Sequence, residues 1–209
     1  MQRTIQTLFT MLLAVALLPS VALAQKNHSF DHEEVIEQRF DVGSNAILTI
    51  DADLGSIEVV GGRGDDVFLT IIKGANNVNR REAERLFDRY EVNFSESRRG
   101  LRIEGDYDKP SGRSNWRRGL RVHYQLTVPT DMELDIKTSG GSIEIENIDA
   151  PVDANTSGGS LRFEDIEGEL IGRTSGGSIK AMNIGNEVEL RTSGGSITVE
   201  EADGDVIAR

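Results

Sequence analysis

Thr138-Ser139-Gly140-Gly141-Ser142 opens a unit that returns at Thr156 to Ser160, Thr174 to Ser178 and Thr192 to Ser196, each time 18 residues on. A strict internal period means one supersecondary unit stacked on itself. Within the unit the apolar positions alternate: Ile143, Ile145, Ile148, Val152 and Ala154 in the first copy, then Leu161, Phe163, Ile166, Leu170 and Gly172 in the second. Ile179, Ala181, Ile184, Val188 and Leu190 follow in the third, and Ile197, Val199, Ala202, Val206 and Ala208 in the fourth. Two short alternating strands per unit fit one coil of a stack. The expected fold is therefore all-β, a parallel β-helix or β-solenoid with 18-residue coils and one short amphipathic helix in the N-terminal half. A hairpin meander with Thr-Ser-Gly-Gly as its turn is the rival topology. An 18-residue coil is also three hexapeptides, as in left-handed β-helices, and the sequence leaves the handedness open.

The glycine pairs Gly140/Gly141, Gly158/Gly159, Gly176/Gly177 and Gly194/Gly195 are assigned a structural corner. Stacked rungs lie about 4.8 Å apart, so a bend in one meets the same bend in the next, and glycine removes the colliding Cβ atoms. The flanking Thr and Ser supply hydroxyls for ladders along that corner.

Outward from the repeats the same register is visible in Glu133-Leu134-Asp135-Ile136-Lys137. Asp53-Leu54-Gly55-Ser56-Ile57-Glu58-Val59 reads as a degenerate copy. Short strands are expected at Val35 to Phe40, Ala46 to Asp51, Ser56 to Val60, Val67 to Lys73, Val92 to Phe94, Leu101 to Ile103 and Leu120 to Val128, separated by turn formers. One helix interrupts them. Asn79 is a good N-cap with Glu82 three residues on, and Ala83, Leu86, Phe87 and Tyr90 form one apolar stripe.

Arg3, the apolar run Leu8 to Leu18 and the small-residue site Ala22-Leu23-Ala24 read as a secretory signal peptide. The expected organisation is residues 1–24 as signal peptide, 25–34 as flexible mature N-terminus, 35–137 as a β-rich part with a helix at about 80–90 and a basic loop at about 109–119, and 138–209 as four repeats. The product is expected in the periplasm, at the cell surface or outside the cell. No later stretch approaches a membrane span. The chain lacks Cys, so no disulfide framework is available. Its formal charge is −12, or −13 once Arg3 is removed, which disfavours nucleic acid as a partner.

Chemistry is sparse. The three histidines, His28, His32 and His123, lie outside the repeats, and no Ser-His-Asp set assembles from the sequence. The acidic residues of 138–209 number 14 against 5 basic ones, spread as on a solvated face. Gly61 to Leu69 fits a calcium-binding nonapeptide but stands alone, and the Arg63-Gly64-Asp65 inside it is too short to carry weight. His28 to Glu33 holds weak metal-ligand types on a frayed end. No cofactor, metal site or catalytic residue is expected.

The strongest binding signal is electrostatic. Between Arg98 and Arg121 eight basic residues stand against three acidic ones, +5 in an acidic chain. Arg113, Trp116, Arg117 and Arg118 there suit anionic sugars, lipid headgroups or a protein partner. The competing reading is intramolecular charge balance. The chain stops at Arg209 with no capping element after the fourth unit, so end-to-end self-association, or further units beyond, is also expected.

The Thr-Ser-Gly-Gly-Ser-Ile units, Leu126-Thr127-Val128-Pro129 with Leu134-x-Ile136, and the signal peptide together resemble a bacterial family of β-strand-repeat proteins of unknown function labelled putative adhesins. The resemblance covers roughly residues 35–209 and implies a β-helical, exported, non-enzymatic protein. It carries over no catalytic residue. The functional expectation is an adhesin-like binding or structural module of the envelope. Its partner would be an envelope polymer, a protein or another copy. A periplasmic accessory factor for a membrane partner and a polysaccharide-active enzyme are the alternatives.

Overall fold

The computed structural model describes residues 30–43, 45–97, 99–108 and 119–209. The expected signal peptide and the first half of the expected flexible N-terminus, residues 25–29, therefore lie outside the described residues. Sixteen strands and one helix are present among them: β1 (His32–Asp41), β2 (Ile47–Ala52), β3 (Ser56–Gly62), β4 (Asp66–Ala75), α1 (Arg80–Phe87), β5 (Tyr90–Ser97), β6 (Gly100–Tyr107), β7 (Leu120–Pro129) and β8 (Glu133–Thr138). The repeats supply β9 (Ile143–Ile148), β10 (Val152–Thr156), β11 (Leu161–Ile166), β12 (Leu170–Thr174), β13 (Ile179–Ile184), β14 (Val188–Thr192), β15 (Ile197–Ala202) and β16 (Val206–Ala208).

These strands form two eight-stranded sheets. The first has the order β1-β4-β7-β3-β9-β11-β13-β15, the second β16-β14-β12-β10-β8-β2-β6-β5. Both are mixed: β1 with β4, β4 with β7, and β5 with β6 are antiparallel, and the remaining neighbours are parallel. This corrects the expected parallel β-helix or β-solenoid. The described residues form a two-sheet, sandwich-like fold, with no closed coil among them. The period of 18 fixes the spacing between units, but it determines neither how many faces a unit has nor how the preceding chain pairs. Here each unit gives one strand to each sheet, and the N-terminal half adds antiparallel strands to both.

Within the repeats, neighbours pair in register one unit apart: Leu161 opposite Ile143 and Ile179, Leu170 opposite Val152 and Val188. The meander is thus not adopted. The degenerate copy joins the same rows, with Ile57 opposite Ile143 and Ile50 opposite Ile136. Alternation places Ile143, Ile145, Phe163 and Leu170 fully inside, between the sheets. Alternation would point the last residue of each first-sheet strand outward. Instead Asn147, Asp165, Asn183 and Glu201 take left-handed backbone (φ 55–61°), which rephases the strand and turns Ile148, Ile166 and Ile184 into the core.

Helix α1 begins where Asn79 Oδ1 accepts the Glu82 amide at 3.1 Å, and Ala83 and Phe87 bury its apolar side against β1, β4 and β7. The buried Lys73 ammonium donates to the Phe87 carbonyl at the helix C-terminus (3.3 Å) and pairs with Glu34 at 2.8 Å. A cation suits that end of the helix dipole.

At the junction of the sheets Tyr124 and Tyr90 place their hydroxyls 2.6 Å apart, and Tyr90 donates onward to the Leu54 carbonyl at 2.8 Å. Gly105 makes room for them, since a Cβ there would overlap both hydroxyls. Burial pushes both phenols well above their usual value of 10. A phenol raised by folding keeps its full contribution below pH 10, and that contribution falls as pH rises above it because only the unfolded chain then ionises. Stability should therefore decline above pH 10 by about 1.4 kcal/mol per pH unit for each tyrosine. Denaturant midpoints measured between pH 8 and 11.5, with phenolate absorbance followed in parallel, check this; ionisation of both phenols in the folded protein near pH 10 contradicts it.

Candidate functional site

Three surface features have the regularity or chemistry of a site: the glycine corner, the outer charge rows, and a groove beside the first corner.

At the corner the two glycines of each pair are not equivalent. A Cβ on Gly141, Gly159, Gly177 or Gly195 would overlap the backbone carbonyl of Gly55, Gly141, Gly159 or Gly177, one rung below. Gly140 and Gly158 face open space, while Gly176 and Gly194 would make only close to ordinary contacts. Close approach of backbones therefore requires the second glycine alone. Just before it, Thr156 Oγ1 donates to the Gly141 carbonyl at 2.8 Å and accepts from the Gly159 amide at 3.3 Å; Thr174 and Thr192 repeat the pattern. Thr156→Val keeps the shape but strands a donor and an acceptor at a buried corner. A loss of about 1–3 kcal/mol in equilibrium unfolding is expected; an unchanged midpoint would mean these bonds add nothing. The serines form a second row, the Ser160, Ser178 and Ser196 amides donating to Ser142, Ser160 and Ser178 Oγ at 3.3 Å.

On the outer face of the second sheet, Lys137, Asn155, Arg173 and Arg191 lie side by side across β8, β10, β12 and β14. The neighbouring row holds Asp135, Asp153, Ile171 and Glu189. Arg173 bridges Asp153 (3.2 Å) and Glu189 (3.6 Å), and Arg191 meets Glu189 at 3.0 Å. At the last rung, Val206 and Ile207 are 45% and 46% exposed on β16, an edge strand.

The groove lies on the outer face of the first sheet. A concavity of about 300 Å³ is lined by Leu54, Gly55, Ser56, Leu120 to His123, Gly140 and Gly141. A second, of about 170 Å³, shares Ser56 and His123 and adds Glu58, Gln125, Ser142 and Glu144. Ser56 on β3 stands opposite His123 on β7, with Oγ and Nδ1 2.5 Å apart. The Phe30 ring lies 5.8 Å from the His123 ring and covers Gly74.

The sequence-derived binding residues Arg113, Trp116, Arg117 and Arg118 lie outside the described residues; their segment joins β6 to β7 and so leads directly into the strand that carries Arg121 and His123. His28 is likewise outside, and His32 contacts the Val78 carbonyl at 3.2 Å. Among the described residues no cluster of three or more His, Cys, Asp or Glu could hold a metal ion. Arg63-Gly64-Asp65 is an exposed turn between β3 and β4. Sequence reasoning missed the Ser56–His123 pair because 67 residues separate the partners. It also missed the left-handed row, although Asn and Asp at one spacing were a legible signal for it.

No family model matches the chain, and no curated protein matches it. Membership of the β-strand-repeat family is therefore not shown. A structure described as a putative cell adhesion protein from Clostridium sporogenes is similar at 10% identity, with a TM-score of 0.44 over 84% of this chain and 99% of that one. A putative adhesin from Bacteroides fragilis has 10% identity and a TM-score of 0.34, covering 84% and 97%. A putative lipid binding protein from Parabacteroides distasonis has 12% identity and a TM-score of 0.30, covering 86% and 97%. Likenesses this distant carry no argument about what the present chain binds.

Proposed function

We propose that this chain is a non-catalytic, adhesin-like binding or structural module exported to the cell envelope. The observation that carries the reading is the in-register stacking of four units, which sets the outward side chains in regular rows one strand apart over the outer faces. Such a surface matches a partner that is itself periodic, a polymer above all. Arg113, Trp116, Arg117 and Arg118 are the proposed anchor: three cations and an aromatic in a chain of charge −12 supply both electrostatic attraction and a desolvated contact. No helix among the described residues is long and apolar enough to cross a membrane.

The test is retention of the exported protein on isolated envelope material, compared with a variant in which those four residues are alanine. Loss of retention that salt reproduces in the unmodified protein supports the anchor. Equal retention of both proteins rejects it.

A further inference from the structure

Helix α1 carries an outer row of cations that the fold does not use. Arg81, Arg85 and Arg89 recur every four residues, the last in the turn after the helix, and all three are exposed. Ala83 and Phe87 hold the other side of the helix against β1, β4 and β7. Residues at a spacing of four share one face, and like charges there disfavour the helix. The segment Arg80 to Arg89 has four cations and three carboxylates. Arg80 pairs with Glu84 at 3.1 Å, whereas Arg81, Arg85 and Arg89 form no ion pair with another described residue. Arg85 and Arg89 suit the negative end of the helix dipole; Arg81, in the first turn, stands at the wrong end for it.

From this row we infer that the outer face of α1 docks on anionic phospholipid headgroups at a membrane surface. The outside of a helix is convex, and the concavities over the two sheets are lined by other residues. A convex row of guanidiniums meets the many phosphates of an extended surface, each donating two hydrogen bonds, rather than enclosing one small ligand. Charge placement selects a flat partner over a long flexible polyanion. The repeats carry 14 acidic against 5 basic residues. In the first sheet β7, the strand of that sheet nearest the repeats that α1 touches, is two positions from β9. The repeats thus begin about 10 Å away, beyond the Debye length of about 8 Å at physiological salt. A surface that meets α1 escapes most of their repulsion, whereas a polyanion following the sheets does not. Both ends of the segment 109–118 come to the same helix. The Asp108 amide donates to the Arg89 carbonyl at 2.9 Å, and Gly119 lies beside Leu86, where a Cβ would be 3.3 Å from Cδ1.

The inference rests on the reading of the chain as an exported envelope module and names a partner for it. Its residues are distinct from Arg113, Trp116, Arg117 and Arg118, so helix and loop can fail separately. The experiment sediments the full mature protein with vesicles of phosphatidylglycerol and phosphatidylcholine, and with vesicles of phosphatidylcholine alone. Binding to the first that salt reduces, and none to the second, is expected. Arg81→Gln, Arg85→Gln and Arg89→Gln should each weaken binding about fivefold, and about a hundredfold together. Lysine at the same three positions should preserve most of it. Each variant is first checked for an unchanged unfolding midpoint. The alanine variant of the four loop residues should still bind, in a manner that the three Gln substitutions abolish. No binding of the unmodified protein to the anionic vesicles overturns the inference. So does equal binding to both kinds of vesicle, or binding that the Gln substitutions leave unchanged. Retention on alginate with none on the vesicles also overturns it, and would assign the row to a soluble polyanion.

Discussion

Gly159→Ala should destabilise the protein by about 3 kcal/mol or more, while Gly158→Ala, one residue earlier, should change stability by less than about 1 kcal/mol. A methyl on Gly159 has nowhere to go, because the Gly141 carbonyl of the rung below occupies its position. Relief would need two rungs to separate, and that would stretch the flanking ladders, including the Thr156 bond to the same carbonyl. At Gly158 the space is open and no left-handed backbone is required, so alanine only reduces the freedom of the unfolded chain. Urea midpoints of the two variants decide the matter. Similar effects at both positions would mean that the corner is not held by contact between backbones.

The second large effect is expected from Phe163→Ala, at about 3–5 kcal/mol. Phe163 is fully buried on β11, and its ring fills the space that Gly172 on β12 leaves open, where an added Cβ would lie 2.9 Å from the ring. Removing the ring leaves a cavity between two sheets whose strands are pinned by their neighbours, so collapse around it is limited. Gly172→Ala alone should also destabilise, since its methyl would crowd both Phe163 and Leu190. Combined with Phe163→Ala, that methyl gains room. The double variant should therefore lose less stability than the sum of the two singles. Strict additivity would show that the two residues do not share one space.

Much of the local structure was legible. Alternating Ile143/Ile145 and Leu161/Phe163 marked strands, and Asn79 marked the start of α1, because period and capping are short-range properties. The sheet order was not. Insertion of β7 between β3 and β4 is a long-range choice with no local signature, and the spacing of the repeats is compatible with coils of two faces or three. For the same reason the groove could not be found: Arg121 and His123 look like ordinary outward residues of an alternating strand until β3 is placed beside them. The glycine pair was visible as a pair. That only its second member is sterically required follows from how closely one rung approaches the next, a distance sequence does not encode.

The same close approach bears on how such a chain can change length. Among the described strands each unit pairs with the one before and the one after, and the same corner contact recurs every 18 residues. Excising residues 157–174 as a block would set Gly177 over Gly141 and restore the backbone and threonine bonds of the corner, losing only surface pairs such as those of Arg173 with Asp153 and Glu189. Deleting one residue from the same block would bring every later side chain to the wrong face. Duplication and loss of whole units are thus nearly free moves for this molecule, and its extent can be adjusted in steps of one rung without redesigning the interior.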